Sequence, residues 1–385
     1  MDFSFEVSKK DKKSLARAGV IHTSHGDILT PAFSPVATKA SVKTLTPDDL
    51  RAAKTQVVLG NTYHLYLKPG TETLKKFGGF GPFMRWHGPT ISDSGGYQVS
   101  FLRSKSEDGR LVKITDKGAI FSSYLDGSRH LITPEKSMEI QKILAADIIM
   151  AFDQPLGSDY SPLKKKEAFE RTMKWEERSF SAWKKLKSNQ ALYGIVQGDI
   201  DRSLRRKSLK FVLSLGFPGI AMGGESIGVS PKITAETLDA VADILPLDKP
   251  LHALGLGGGP EGIFTAVQRG VDTFDNTSIT RMARTGLLFI YPEDGGSISN
   301  KFRIDIEKSK FKNARAPISN KCSCYTCKNF SAAYLHHLFL TRELLGLRLA
   351  SIHNVFFVND LMERIRNSIL EGDFRAFKKY WLNRG

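Results

Sequence analysis

Three aspartates sit in short turn-rich stretches, each just after an apolar run: Asp93 in TISDSGGYQ, Asp153 in IIMAFDQP and Asp275 in GVDTFDN. A carboxylate can attack an electrophilic carbon, take up a proton, or accept hydrogen bonds from a ligand's N–H groups. One aspartate after a strand more often caps the next helix. Three of them, joined by Gln197 in YGIVQGD and by the ring of Tyr97, point instead to a site for a polar planar molecule. Gly95, Gly96, Gly223 and Gly224 would let the backbone approach such a ligand closely.

A second cluster has different chemistry. Cys322, Cys324 and Cys327 form CxCxxC and are the only three cysteines in the chain. Thiols crowded in this way suit a closed tetrahedral zinc site, which requires a fourth ligand; His336, His337 and His353 are the nearby candidates, and spacing does not choose among them. A site with no open coordination position makes the zinc structural. The scarcity of cysteine elsewhere argues against a disulfide framework and for a reducing compartment.

These residues need elements that bring them together. QVVLGNTYHL, TISDSG, ADIIMAFD, LYGIVQG, GIAMGG, LHALGLG and VDTFDN read as strands, with FSPVATKA as the candidate eighth, and MEIQKILAA, AETLDAVADIL and PEGIFTAVQRG have helical spacing between them. Strands alternating with helices imply parallel βαβ units, and eight strands fit an α/β fold, a (β/α)8 TIM barrel. All strand C-termini of such a barrel open on one face, which would collect Asp93, Asp153, Gln197, Gly223, Gly224, Gly255 and Asp275. Residues 1–310 read as this catalytic barrel, and residues 311–385 as a small zinc-binding subdomain with closing helices. GLGGGPEG has glycines that could cradle a phosphate, but it lacks the P-loop lysine and the Rossmann spacing.

The bulk composition narrows the partners. With 385 residues, 41% hydrophobic and 25% charged, the chain has ordinary globular composition. Its 56 Lys and Arg against 40 Asp and Glu give a formal charge of +16, which favours polyanions. Arg281 and Arg284, just beyond Asp275, are expected either to hold nucleic-acid phosphates in register or to form structural salt bridges. The opening MDFSFEVSKKDKKSLARAG is charged where a signal peptide needs an apolar core, and no run of about 18 apolar residues occurs. A cytoplasmic protein with no membrane partner is expected.

Taken in order, DSGGYQ, AFDQP, YGIVQGD, AMGGES, GVDTFDN with TRMAR, and CSCYTC with a later SIHN resemble the bacterial tRNA-guanine transglycosylases, also called queuine tRNA-ribosyltransferases. The likeness runs through nearly the whole chain. It implies a zinc-containing barrel enzyme that exchanges guanine at the wobble position (position 34) of certain tRNAs for a 7-deazaguanine. Asp275 matches the family's nucleophile, which bonds to the ribose, and Asp93 its acid/base residue; two displacements at one carbon restore its configuration. The base-binding residues implied are Ser94, Gly95, Gly96, Tyr97, Asp153, Gln197, Gly223, Gly224 and Leu254. Asp153 would accept from the base's N–H groups, the Gln197 amide and Gly224 N–H would donate to its carbonyl, and Tyr97 would stack on the ring. Gly255, Gly257, Thr280, Arg281 and Arg284 would contact RNA. The resemblance also selects His353 as the fourth ligand of one structural zinc per chain, and it implies a homodimer whose partners are tRNA and the free deazaguanine base.

Some positions depart from the family pattern. Pro155 and Asn276 stand where cysteines are usual, and Leu254 where methionine is. GGESIGV replaces a run resembling GGLAVGE, so that Glu225 takes an apolar place and Val229 the place of a glutamate that reads the base's 7-substituent. Bulky Ile227 disfavours queuine, whereas loss of the glutamate removes support for a cationic aminomethyl group; 7-aminomethyl-7-deazaguanine is the expected base, with direct use of queuine as the alternative. Other readings are a non-catalytic tRNA-binding partner subunit, which retention of Asp93 and Asp275 opposes, and a barrel glycosidase acting on an acidic polymer.

Overall fold

The computed structural model describes residues 3–101 and 112–383. Eight parallel strands close into a barrel: β4 (Ala32–Ala37), β5 (Val58–Gly60), β6 (Thr90–Ser92), β10 (Ile148–Met150), β11 (Ala191–Val196), β12 (Gly219–Met222), β13 (Leu251–Ala253) and β14 (Thr273–Asn276). The first and last pair in register, Asp275 opposite Ser34, which closes the ring. All eight barrel strands expected from the sequence are present. The run QVVLGNTYHL, however, is strand only through Gly60. Asn61 then caps a short helix, Thr62–Leu65, by accepting from the His64 amide at 3.0 Å, a local bond that ends the strand.

Alternation along the barrel strands divides two apolar layers. Ile148, Met150, Tyr193, Ile195 and Ala221 turn into the barrel, while Ile149, Leu192, Val196, Ile220 and Met222 face the helices outside. Each large aliphatic residue buried this way contributes roughly 1.5–3 kcal/mol. Two three-stranded antiparallel sheets, and a two-stranded one described below, were not anticipated from the sequence. One, of β1 (Ser4–Lys10), β2 (Arg17–Thr23) and β3 (Gly26–Thr30), adds Ile21 and Ile28 to the barrel's inner cluster, with Phe3 and Phe5 packed against it. The other, of β7 (Val112–Ile114), β8 (Ala119–Ser122) and β9 (Arg129–Ile132), lies between β6 and the helix Pro134–Leu144. The N-terminal sheet thus packs on the barrel's inner apolar cluster, while the cavity is lined by residues at the strand C-termini.

A 28-residue helix, Leu344–Glu371, packs on β4 and on the N-terminal sheet. Asn359 donates to the Ala53 carbonyl at 2.7 Å, and Arg366 to the carbonyls of Gly19 and Thr30 at 2.5 and 2.6 Å. The helix also reaches the hairpin of β15 (Leu287–Phe289) and β16 (Arg303–Asp305), where Asn354 accepts from the Phe289 amide at 3.1 Å and donates to the Leu287 carbonyl at 3.0 Å. Among the described residues, no helix is long and apolar enough to cross a membrane.

Candidate active site

A cavity of about 770 Å³ lies at the C-terminal ends of the barrel strands. Its wall includes Asp93, Ser94, Gly95 and Tyr97 after β6, Asp153 after β10, Gln197 after β11, Gly223 and Gly224 after β12, Leu254, Gly255 and Gly257 after β13, Asp275 in β14, and Arg281 beyond it. Three of the expected residues lie off this wall. Gly96 is buried against Asp153, Thr280 is buried in the helix Ser278–Ala283, and Arg284 follows that helix with its Nη1 buried and unpaired among the described residues.

Asp93 is gripped from the loop after β5. Its Oδ1 accepts from the amides of Thr62 at 2.8 Å and Gly95 at 3.2 Å, and its Oδ2 from Asn61 Nδ2 at 2.5 Å. Burial, opposed by the Thr62 and Gly95 N–H groups and reinforced by the Asp275 and Asp153 charges, pushes its carboxyl up to about 7. A carboxyl near neutrality is suited to both giving and taking a proton. An Asn-Thr pair directly after an apolar strand signals a helix N-cap, but not the distant carboxylate that the same pair holds.

Asp153 heads a buried polar cluster. Its Oδ1 accepts from Ser94 Oγ at 3.0 Å and its Oδ2 from Gln197 Nε2 at 2.7 Å, while burial, offset by these bonds, pushes it up to about 6. The Gln197 amide therefore donates to Asp153, in addition to any bond it makes to a ligand carbonyl. Reversing it would set two acceptors together, so its buried Oε1 remains without a donor among the described residues. Glycine at 96 is dictated by packing, because a Cβ there would overlap the Asp153 carbonyl oxygen. Gly224, at φ +98, has the left-handed conformation that glycine adopts without strain.

Two buried groups that sequence reasoning missed shape this wall from behind. Arg205 donates to the carbonyls of Val196 at 2.7 Å and Asp199 at 2.8 Å and to Ser226 Oγ at 2.9 Å, tying together the loops after β11 and β12. Glu176 accepts from the Ile195 amide at 2.6 Å, and burial holds its carboxyl well above the ordinary range.

Asp275 faces the cavity with its Oδ1 held by the Gly255 amide at 3.0 Å and, at 3.3 Å, by Nε2 of His252. LHALGLG gave no hint of that histidine, which sits in an apolar run. Asn276 donates to the Leu256 carbonyl and accepts from the Ser278 amide at 2.5 Å, bracing the turn that follows the aspartate. Pro155, Glu225, Ile227 and Val229 also line the cavity. Glu225 is fixed by the Ser158 amide at 2.8 Å, and burial followed by its charge pushes the phenol of half-exposed Tyr97 above its ordinary value.

Outside the cavity, Cys322, Cys324, Cys327 and His353 are all buried, with their ligand atoms within 4.8 Å of one another. His353 Nδ1 lies 3.6, 3.6 and 3.3 Å from the three sulfurs. Bonds of about 2.3 Å to sulfur and 2.0–2.1 Å to nitrogen in a tetrahedron separate S and N by about 3.6 Å, so the group can hold a metal ion. Nε2 of His353 bonds the Phe289 carbonyl at 2.7 Å, which orients Nδ1 toward the sulfurs. His336 bonds the Ile306 carbonyl at 2.8 Å instead, and His337 lies on an exposed position of the same helix.

A closed eight-stranded parallel barrel with a carboxylate-rich cavity at its strand ends defines a (β/α)8-barrel enzyme. Residues 11–384 match the family model of queuine tRNA-ribosyltransferases. The chain is 42% identical over 382 residues to the queuine tRNA-ribosyltransferase of Caldanaerobacter subterraneus subsp. tengcongensis, covering 99% of this chain and 97% of the relative. It is 41% identical to that of Halothermothrix orenii, covering 100% and 98%, and 43% identical to that of Dehalococcoides mccartyi, covering 100% and 93%. The chain belongs to the queuine tRNA-ribosyltransferase family, whose members are pentosyltransferases.

Proposed function

We propose that the chain is a tRNA-guanine transglycosylase that exchanges the wobble guanine for 7-aminomethyl-7-deazaguanine through a covalent intermediate on Asp275. The observation that carries this reading is the sharing of one cavity by Asp93, Asp275 and the Ser94–Asp153–Gln197 cluster. Asp275 attacks the ribose C1′ as the C1′–N9 bond to guanine breaks, and the electron pair leaves on N9. Asp93 then takes the N9 proton of the incoming base, whose nitrogen displaces Asp275 from C1′.

The cluster accounts for base choice. Asp153 accepts from the N–H groups of a guanine-like edge, the Gln197 amide and the Gly224 N–H donate to its carbonyl, and the half-exposed Tyr97 ring offers a stacking face. Adenine presents the wrong pattern of donors and acceptors. Glu225 supports the aminomethyl base, because it supplies a wall carboxylate where Val229 does not, and bulky Ile227 supports exclusion of queuine. The wobble base is unpaired in the anticodon loop, so extruding it costs only a few kcal/mol. The +16 surface would hold the surrounding phosphates, with Arg281 at the cavity wall.

The metal is read as one structural zinc per chain, which would tie the 322–327 loop to His353 of the long helix within the 311–385 segment and take no part in the exchange. The enzyme is read as a cytoplasmic homodimer. The test is incubation of unmodified tRNA with labelled guanine, aminomethyl-deazaguanine and queuine, with mass analysis of the nucleosides. Asp275→Asn should abolish exchange while leaving tRNA binding nearly intact; full activity in that variant overturns the nucleophile assignment.

A further inference from the structure

The two oxygens of Asp275 have different surroundings. Oδ1 faces two donors, the Gly255 amide at 3.0 Å and His252 Nε2 at 3.3 Å. Among the described residues, no donor reaches Oδ2. His252 itself is fully buried, and its other nitrogen, Nδ1, lies 2.9 Å from Thr273 Oγ1. A neutral imidazole donates from one nitrogen and accepts at the other, and the partner of one decides the role of the other. Thr273 sits on the same strand as Asp275, and its hydroxyl can donate to Nδ1. An ionised carboxylate only accepts, so the contact with Asp275 Oδ1 puts the proton on Nε2 and leaves Nδ1 to accept from Thr273.

We propose that His252 is a positioning residue for Asp275, held by Thr273 as the tautomer that donates to Oδ1 and so leaving Oδ2 as the attacking oxygen. This role rests on Asp275 being the nucleophile. In the first displacement the Oδ2–C1′ bond forms as C1′–N9 breaks, and Oδ1 becomes the carbonyl oxygen of the ester. In the second displacement the N9–C1′ bond forms, the C1′–Oδ2 pair returns to the carboxylate, and the returning charge spreads to Oδ1. The donors of Gly255 and His252 are already there to receive it, with no reorganisation at the moment of reaction. Their effect is therefore larger on departure of Asp275 than on its attack. A histidine contact of 3.3 Å in the free enzyme also has room to tighten as charge develops.

The test compares wild type with His252→Phe, His252→Gln and Thr273→Val, using radiolabelled unmodified tRNA and guanine. Three quantities are read: kcat for exchange, Kd for tRNA, and the steady-state share of RNA-linked protein on a denaturing gel. Because the Gly255 donor remains, His252→Phe should lower kcat roughly 10- to 100-fold, below the loss for removing an entire anion-stabilising pair. The share of RNA-linked protein should rise, with tRNA Kd unchanged. His252→Gln, which keeps a donor, should recover most of the rate, and Thr273→Val should lose part of it. An unchanged kcat and adduct share in His252→Phe overturns the role of His252, as does a loss confined to tRNA affinity or thermal stability. Absence of any RNA-linked wild-type protein brings down the nucleophile assignment itself, and this role with it. If His252→Phe does not fold, Thr273→Val decides: an unchanged kcat there overturns the proposal.

Discussion

Replacing Asp93 by Asn should stabilise the free protein at alkaline pH and much less at acid pH. Folding moves this carboxyl from the ordinary 3.8 to about 7, chiefly through burial and then through the nearby Asp275 and Asp153 charges. The folded chain therefore holds the proton more tightly than the unfolded chain. The stability this contributes is fully present below about pH 4 and is lost as pH rises through about 7. About 3 pH units at about 1.4 kcal/mol each give about 4 kcal/mol in total, of which about 2.5 kcal/mol falls between pH 5 and pH 8. For 385 residues, unfolding entropy is about 0.8 kcal/mol/K, so the difference corresponds to about 3 °C in melting temperature. Asparagine keeps an acceptor for the Thr62 and Gly95 amides but sets its own NH2 against Asn61 Nδ2. That penalty is present at both pH values and cancels in the comparison. The assay is thermal melting of wild type and variant at pH 5 and pH 8, and the gap between them should shift by about 3 °C in favour of the variant at the higher pH. A gap that stays constant would refute the claim that the pocket opposes ionisation of Asp93.

Three further outcomes are expected. Gly96→Ala would press a methyl group into the Asp153 carbonyl oxygen; displacement of that residue's carboxylate should lower kcat/KM for guanine exchange by about 100-fold with tRNA affinity retained, measured by exchange kinetics and filter binding. Wild type should carry one zinc per chain by elemental analysis, and Cys324→Ala should lose it and melt at least about 5 °C lower, since a structural zinc site contributes on the order of 10 kcal/mol to folding. Arg281→Ala should weaken tRNA binding and reduce the slope of log K against log salt by about one, read from binding titrations between low and moderate salt.

The barrel was legible because each buried strand is a short apolar run separated from the next by helical spacing, and that alternation is local. The carboxylates were legible for a related reason: a barrel sends every strand C-terminus to one face, so Asp93, Asp153 and Asp275 could be placed together without knowing a single distance. The two three-stranded antiparallel sheets were less visible. The strands β1, β3, β7 and β9 carry exposed or half-buried residues along most of their length, so they offer no buried apolar run like those that marked the barrel strands.

The sequence alone determined the strand order, the residue types available at the strand ends and the cluster of three cysteines, because each of these is a matter of composition and short-range spacing. Spacing left the fourth ligand open and the family resemblance selected His353, which the structure brings to the sulfurs; only tertiary structure decided that Asn61 and Thr62 hold Asp93 and that His252 turns to Asp275. Those choices depend on where side chains from separate segments point once the barrel has closed. A hydrogen bond between residues far apart in the chain leaves no periodic mark in it, because its energy is realised only when both partners have been desolvated in the same place.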